Sequence, residues 1–69
     1  ASKEKAVEYF QKAIAAAPDR IIHHAEYARA LEAMGRTQEA KAEWLKVTQL
    51  KPTDADDRRY LAEAEKKLR

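Results

Sequence analysis

Ala6 and Phe10 return 34 residues later as Ala40 and Trp44, Ala13 returns as Val47, and Pro18 returns as Pro52. A fixed-period echo in a chain of 69 residues constrains the fold more than any single residue. It marks a repeat architecture, in which each unit covers its apolar face only by stacking on the next. The working part of such a molecule is the surface that the stacked units form. The echo therefore points to partner binding as the class of function and leaves the partner open.

The units are helical. Fifteen alanines make up much of the apolar content, and alanine is the strongest helix former and allows close approach of helix backbones. One glycine and few β-branched residues leave little material for strands and hairpins. The expected fold is all-α, about four antiparallel helices in helix-turn-helix repeats.

Four segments show helical periodicity between short breaks. The first carries Ala6, Val7, Phe10, Ala13, Ile14 and Ala17, with Ser2 as its expected cap, and stops at Pro18. Proline disfavours helical geometry in the residue before it and blocks a helical hydrogen bond. Asp19 is the expected cap of the second helix, which carries Ile21, Ile22, Ala25, Ala28, Leu31 and either Tyr27 or Met34 inward. Gly35 supplies the left-handed residue that ends it. Thr37 is the expected cap of the third, whose stripe is Ala40, Trp44 and Val47, closed by Pro52. The fourth starts at Thr53 or Asp54, with Asp56 and Asp57 early and Lys66, Lys67 and Arg69 late. That order of charge complements the helix dipole. Turns this short force neighbouring helices to run antiparallel.

Residues 21 to 52 carry His24, Tyr27, Ala28 and Leu31 on one helix, then Ala40, Trp44, Val47 and Pro52 on the next. This resembles the tetratricopeptide repeat family, whose pattern is an aromatic, a large apolar and a small residue, then a small residue, an aromatic and a proline. His24 stands where the family usually has tryptophan and Leu31 where it has tyrosine. The flanks match by halves: Ala6, Phe10, Ala13 and Pro18 as a second-type helix, Leu61 and Ala62 as a first-type one. The resemblance implies a single domain over 1–69, an α-solenoid built of a half repeat (3–17), a complete repeat (20–52) and a first-type or capping helix (54–69). It also implies structural packing roles for Ala6, Ala13, Tyr27, Ala28, Leu31, Ala40, Trp44, Val47, Leu61 and Ala62.

The repeats are out of step with the chain. An opening second-type helix lacks the helix it would pack against, which leaves Val7, Tyr9 and Phe10 as a candidate self-association surface. Two repeat equivalents fall short of the three that such arrays usually need. A fragment, a designed piece, or a protomer of a homo-oligomer is expected on that count.

No catalytic, cofactor or metal site is expected. His23, His24 and Glu26 have ligand-like side chains, but adjacent histidines point about 100° apart on a helix and do not converge on one ion. His24 is expected to be a packing residue and His23 a solvent-facing one. Ser2 has no base nearby, and one glycine cannot build a phosphate-cradling loop. Net charge is +2 and no segment concentrates it, which argues against nucleic acid. No apolar run is long enough for a membrane span, and a soluble, cytoplasmic chain is the default expectation.

What the resemblance implies for function is a protein-protein interaction module or scaffold that takes a peptide or helix in a concave groove lined by first-type helices. The groove residues are then Ile22, Ala25, Arg29, Glu32 and Ala33 from the second helix and Asp56, Arg59, Glu63 and Lys66 from the fourth. The alternative is a structural solenoid unit that self-associates through its first helix and has no ligand.

Overall fold

The computed structural model describes residues 2–69 as four helices: α1 Ser2–Ala16, α2 Ile21–Ala33, α3 Thr37–Gln49 and α4 Ala55–Lys67. No strand occurs among the described residues, so the all-α expectation holds. Cross-helix pairs give the directions. His24 meets Glu43 while Leu31 clusters with Ala40, so α2 and α3 are antiparallel. Glu26 meets Tyr60, Arg29 meets Glu63 and Glu32 meets Lys67, so α2 and α4 run parallel, side by side. The first two of these pairs are 34 residues apart. The 34-residue spacing of the sequence is thus also the spacing at which side chains of α2 and α4 meet.

The helix ends follow local chemistry, with three departures from expectation. Ser2 is the first residue of α1 and lies inside it. The residue that caps α2 is Arg20 and that of α3 is Arg36, neither with a side-chain cap bond, so Asp19 and Thr37 do not cap. At α3 the Arg36 guanidinium instead grips Glu39 of the first turn through two bonds of 2.6 and 2.8 Å. Asp54 does cap α4, accepting from the Asp57 amide at 2.8 Å. Asp57 reaches back to the Thr53 amide and hydroxyl, a reciprocal arrangement that satisfies donors otherwise left open at a helix start. Gly35 has φ +77°. Its amide bonds to the Glu32 carbonyl and that of Arg36 to the Leu31 carbonyl, the paired closure that a left-handed residue permits.

The centre of the molecule is α2. It contributes Ile21, His24, Ala25, Tyr27, Ala28 and Leu31 to the buried set, because α1, α3 and α4 all pack against it. Ile21, Ala25 and Ala28 close on Trp44, Val47 and Ala64, with Leu50 and Tyr60 at the margin. Tyr27, Leu31 and Ala40 form the other cluster, covered by Val7, Phe10, Ile14 and Met34. Tyr27 is therefore the inward residue of α2, and Met34 is half-buried beside it.

One packing assignment is overturned. Ala62 is exposed, and Ala64 is the fully buried small residue of α4. On α2, positions 24, 28 and 31 meet α3, the helix that follows it. Their 34-residue images on α4 are Arg58, Ala62 and Glu65, and among the described residues no helix follows α4. All three stay in solvent. What α4 buries is the face turned back toward α2 and α3. Ala6, Ala13 and Leu61 are half-buried, since they sit at the two outer ends of the stack.

Candidate partner-binding surface

The α2–α4 row carries an open cleft of about 370 Å3 lined by Arg29, Asp56, Arg59, Tyr60 and Glu63. Its floor is an interlocked set. Arg29 donates twice to Glu63, from Nε at 3.2 Å and Nη2 at 2.5 Å, the bidentate geometry that a guanidinium fork favours. The same guanidinium lies 5.1 Å from the Tyr60 ring centre, within cation–π range. The Tyr60 hydroxyl donates to Glu26 at 3.2 Å. Arg59 pairs with Asp56 one turn before it.

These contacts set the charge states. The Glu63 hydrogen bond, opposed by partial burial and helped by the carboxylate's charge, raises Arg29 above its ordinary value. Tyr60 is raised by burial first and then by Glu26, so its hydroxyl remains a donor. The cleft thus offers an aromatic face, one internally neutralised Arg–Glu pair, and one exposed Arg–Asp pair. With carboxylates matched to its guanidinium groups, it has no concentrated positive field of the sort a nucleic-acid backbone requires.

Of the expected groove residues, the structure brings together Arg29, Asp56, Arg59 and Glu63. Ala25 is excluded: it is fully buried in the core cluster and cannot touch a ligand. Glu32 is already engaged, accepting from Trp44 Nε1 and Lys67 Nζ, each at 3.0 Å. Desolvation pushes its carboxyl up, but those two donors and the charges of Lys67 and Arg29 prevail and hold it below the usual range. Ile22 is half-buried and Lys66 exposed, both outside the cleft lining. Ala33 lines a separate groove on the α1 side with Ala6, Ala30 and Met34. Two participants went unrecognised in the sequence, Tyr60 and Lys67. A signal for Tyr60 existed, because it stands 34 residues after Glu26 on the parallel helix.

The α1 residues divide. Val7 and Phe10 turn inward onto the Tyr27 cluster and are half-buried, Phe10 stacking on Tyr27 at 5.8 Å. Tyr9 stands out at 64% exposure, edge-on to Phe10. His24 is buried and His23 is half-buried rather than fully solvent-facing. Among the described residues no cluster of His, Asp and Glu could hold a metal ion, and no helix is long and apolar enough to cross a membrane.

Two comparisons were negative: no curated protein and no solved structure matches the chain. A family profile does match. The tetratricopeptide repeat profile aligns with residues 2–20 and again with 24–54.

Proposed function

The chain belongs to the tetratricopeptide repeat family, and on that premise we propose that it takes an extended peptide or a helix along the α2–α4 row. Repeats of this family are non-catalytic modules that generally mediate protein-protein interaction. We further read the chain as a half repeat (3–17), a complete repeat (20–52) and a first-type helix (54–69), which puts the two first-type helices side by side.

The observation that carries the reading is the cleft at Tyr60. There the aromatic face of Tyr60 on α4 lies beside Arg29 of α2, flanked by a pair that opens at little cost. The side chains of Arg59 and Asp56 are 77% and 67% exposed, and exposed ion pairs contribute about 0–1 kcal/mol. A peptide can replace that pair by offering a carboxylate to Arg59 and an amine to Asp56, while an apolar side chain covers Tyr60. Two repeat equivalents supply little area, so the affinity is modest.

A peptide library selected on the immobilised chain tests this. Binders should lose affinity on Arg59→Glu and on Tyr60→Ala, and keep it on Lys41→Glu, an exposed position of α3. Equal loss in all three, or in none, would remove the cleft from consideration. The second reading, self-association through α1, is favoured by the 64% exposure of Tyr9 beside Phe10. A solution mass that stays at 7.9 kDa at high concentration would count against it.

A further inference from the structure

We propose that His24, Glu43 and the Pro18 carbonyl form a proton-dependent latch that ties the α1–α2 turn and α2 to α3. The histidine is 3% exposed. Its Nε2 lies 2.7 Å from the Pro18 carbonyl oxygen and its Nδ1 lies 2.7 Å from Glu43 Oε1. A carbonyl oxygen only accepts, so Nε2 must carry a hydrogen. Neutral imidazole has one ring hydrogen, and with it on Nε2 the Nδ1 lone pair would face a carboxylate oxygen at hydrogen-bond distance. Two acceptors cannot hold that separation without a proton between them. The latch therefore holds one proton more than a neutral imidazole beside a carboxylate.

With the carboxylate as acceptor, the second proton belongs to the ring. Lys46 Nζ stands 3.9 Å from the other Glu43 oxygen. Lys46 is also the only other charged residue lining the shallow cavity over His24, whose remaining walls are Ile14 from α1, Pro18, Gln49 and Leu50. None of these walls comes from α4. In the turn itself Asp19 and Arg20 are exposed, and on α2 His23 is half-buried. Closed, the latch is an imidazolium that donates to a carbonyl on one side and to a carboxylate on the other, with no buried polar atom left unpaired.

Raising the pH removes the ring proton and sets two acceptors against each other. Glu43 can then turn toward Lys46 and solvent, and the link from the turn to α3 is lost. The consequence falls on α1, which packs on α2 alone and contains no fully buried residue. Its C-terminal end is tethered to α3 through Pro18, His24 and Glu43. The tether is therefore made while the ring carries both protons and is lost when Nδ1 gives its proton up.

Urea unfolding between about pH 5.5 and about pH 8.5, either side of ordinary histidine titration, measures the effect. The folded-to-unfolded ratio of the native chain should fall roughly tenfold or more across the range, the worth of a hydrogen bond to a charged group. His23→Gln should keep that profile. Glu43→Gln should flatten it, because the amide can turn its NH2 toward an unprotonated Nδ1. Parallel profiles for the native chain and Glu43→Gln would overturn the proposal. Should Glu43→Gln fail to fold, the ring-nitrogen NMR shifts of His24 in the native chain decide the matter. Two protonated nitrogens at neutral pH support the latch, and the one-proton pattern of a neutral ring refutes it.

Discussion

Leucine substitution at Ala62 and at Ala64 separates the repeat register from the observed packing. Two residues turn a helix by about 200°, so these alanines lie on nearly opposite faces of α4. The 34-residue step makes Ala62 the image of Ala28, which is completely buried, and on that ground alone Ala62→Leu should be disruptive. The structure reverses the expectation. Ala64 has no exposed surface and belongs to the core cluster of Ile21, Ala25, Ala28, Trp44 and Val47. Placing an isobutyl group there forces α4 away from α2, and overpacking of this kind costs about 1–3 kcal/mol. Ala62 faces water, and leucine is nearly as good a helix former as alanine, so the effect there should stay within about 0.5 kcal/mol. A domain of this size has roughly 3–10 kcal/mol in total, and each kcal/mol moves its Tm by about 4–8 °C. Urea titration followed by Trp44 fluorescence and by circular dichroism reads the difference directly. The Ala64→Leu midpoint should fall well below that of Ala62→Leu, with the two probes coinciding. A larger loss at Ala62 than at Ala64 would mean that α4 turns its other face to the core, and the whole α2–α4 pairing would fall with it.

Two further outcomes follow from local geometry. Gly35→Ala should destabilise by about 1 kcal/mol, since φ is +77° and a Cβ there meets nothing within 4 Å, leaving only the left-handed backbone penalty; Gly35→Asn should lose less in the same thermal melt, and an unaffected Gly35→Ala would refute the assignment. Glu32 has its folded carboxyl held below the usual range, so it contributes stability above the ordinary carboxylate value that is lost as pH falls through the folded one. Acid unfolding of Glu32→Gln should accordingly show a shallower slope than that of the native chain, and identical slopes would count against the Trp44 and Lys67 bonds.

The parts of the fold legible in the sequence are those decided over short distances. Pro18, Gly35 and Pro52 lie in the three breaks, and the period of apolar residues located the helices between them. Trp44, Val47, Ala28 and Leu31 were readable as core because all four lie on inward stripes of helices flanked on both sides. The site was only partly legible. Arg29, Asp56, Arg59 and Glu63 do share a cleft, yet Ala25, at near-helical spacing with Arg29, is buried because α2 turns that edge onto Trp44 and Ala64. The caps at Asp19 and Thr37 failed because arginines occupy the cap positions just beside them.

By itself the sequence determined that this chain is helical, that it repeats every 34 residues, and that it belongs with the tetratricopeptide repeats. Those properties reside in spacing along one strand of chain, and spacing survives without any knowledge of neighbours. Only the tertiary structure decided which face of α4 is buried, that Tyr60 completes the cleft, and that His24 is clamped between Glu43 and the Pro18 carbonyl. The physical reason is the same in each case. A helix can offer more than one usable face, and which is covered depends on residues that arrive from elsewhere in the chain.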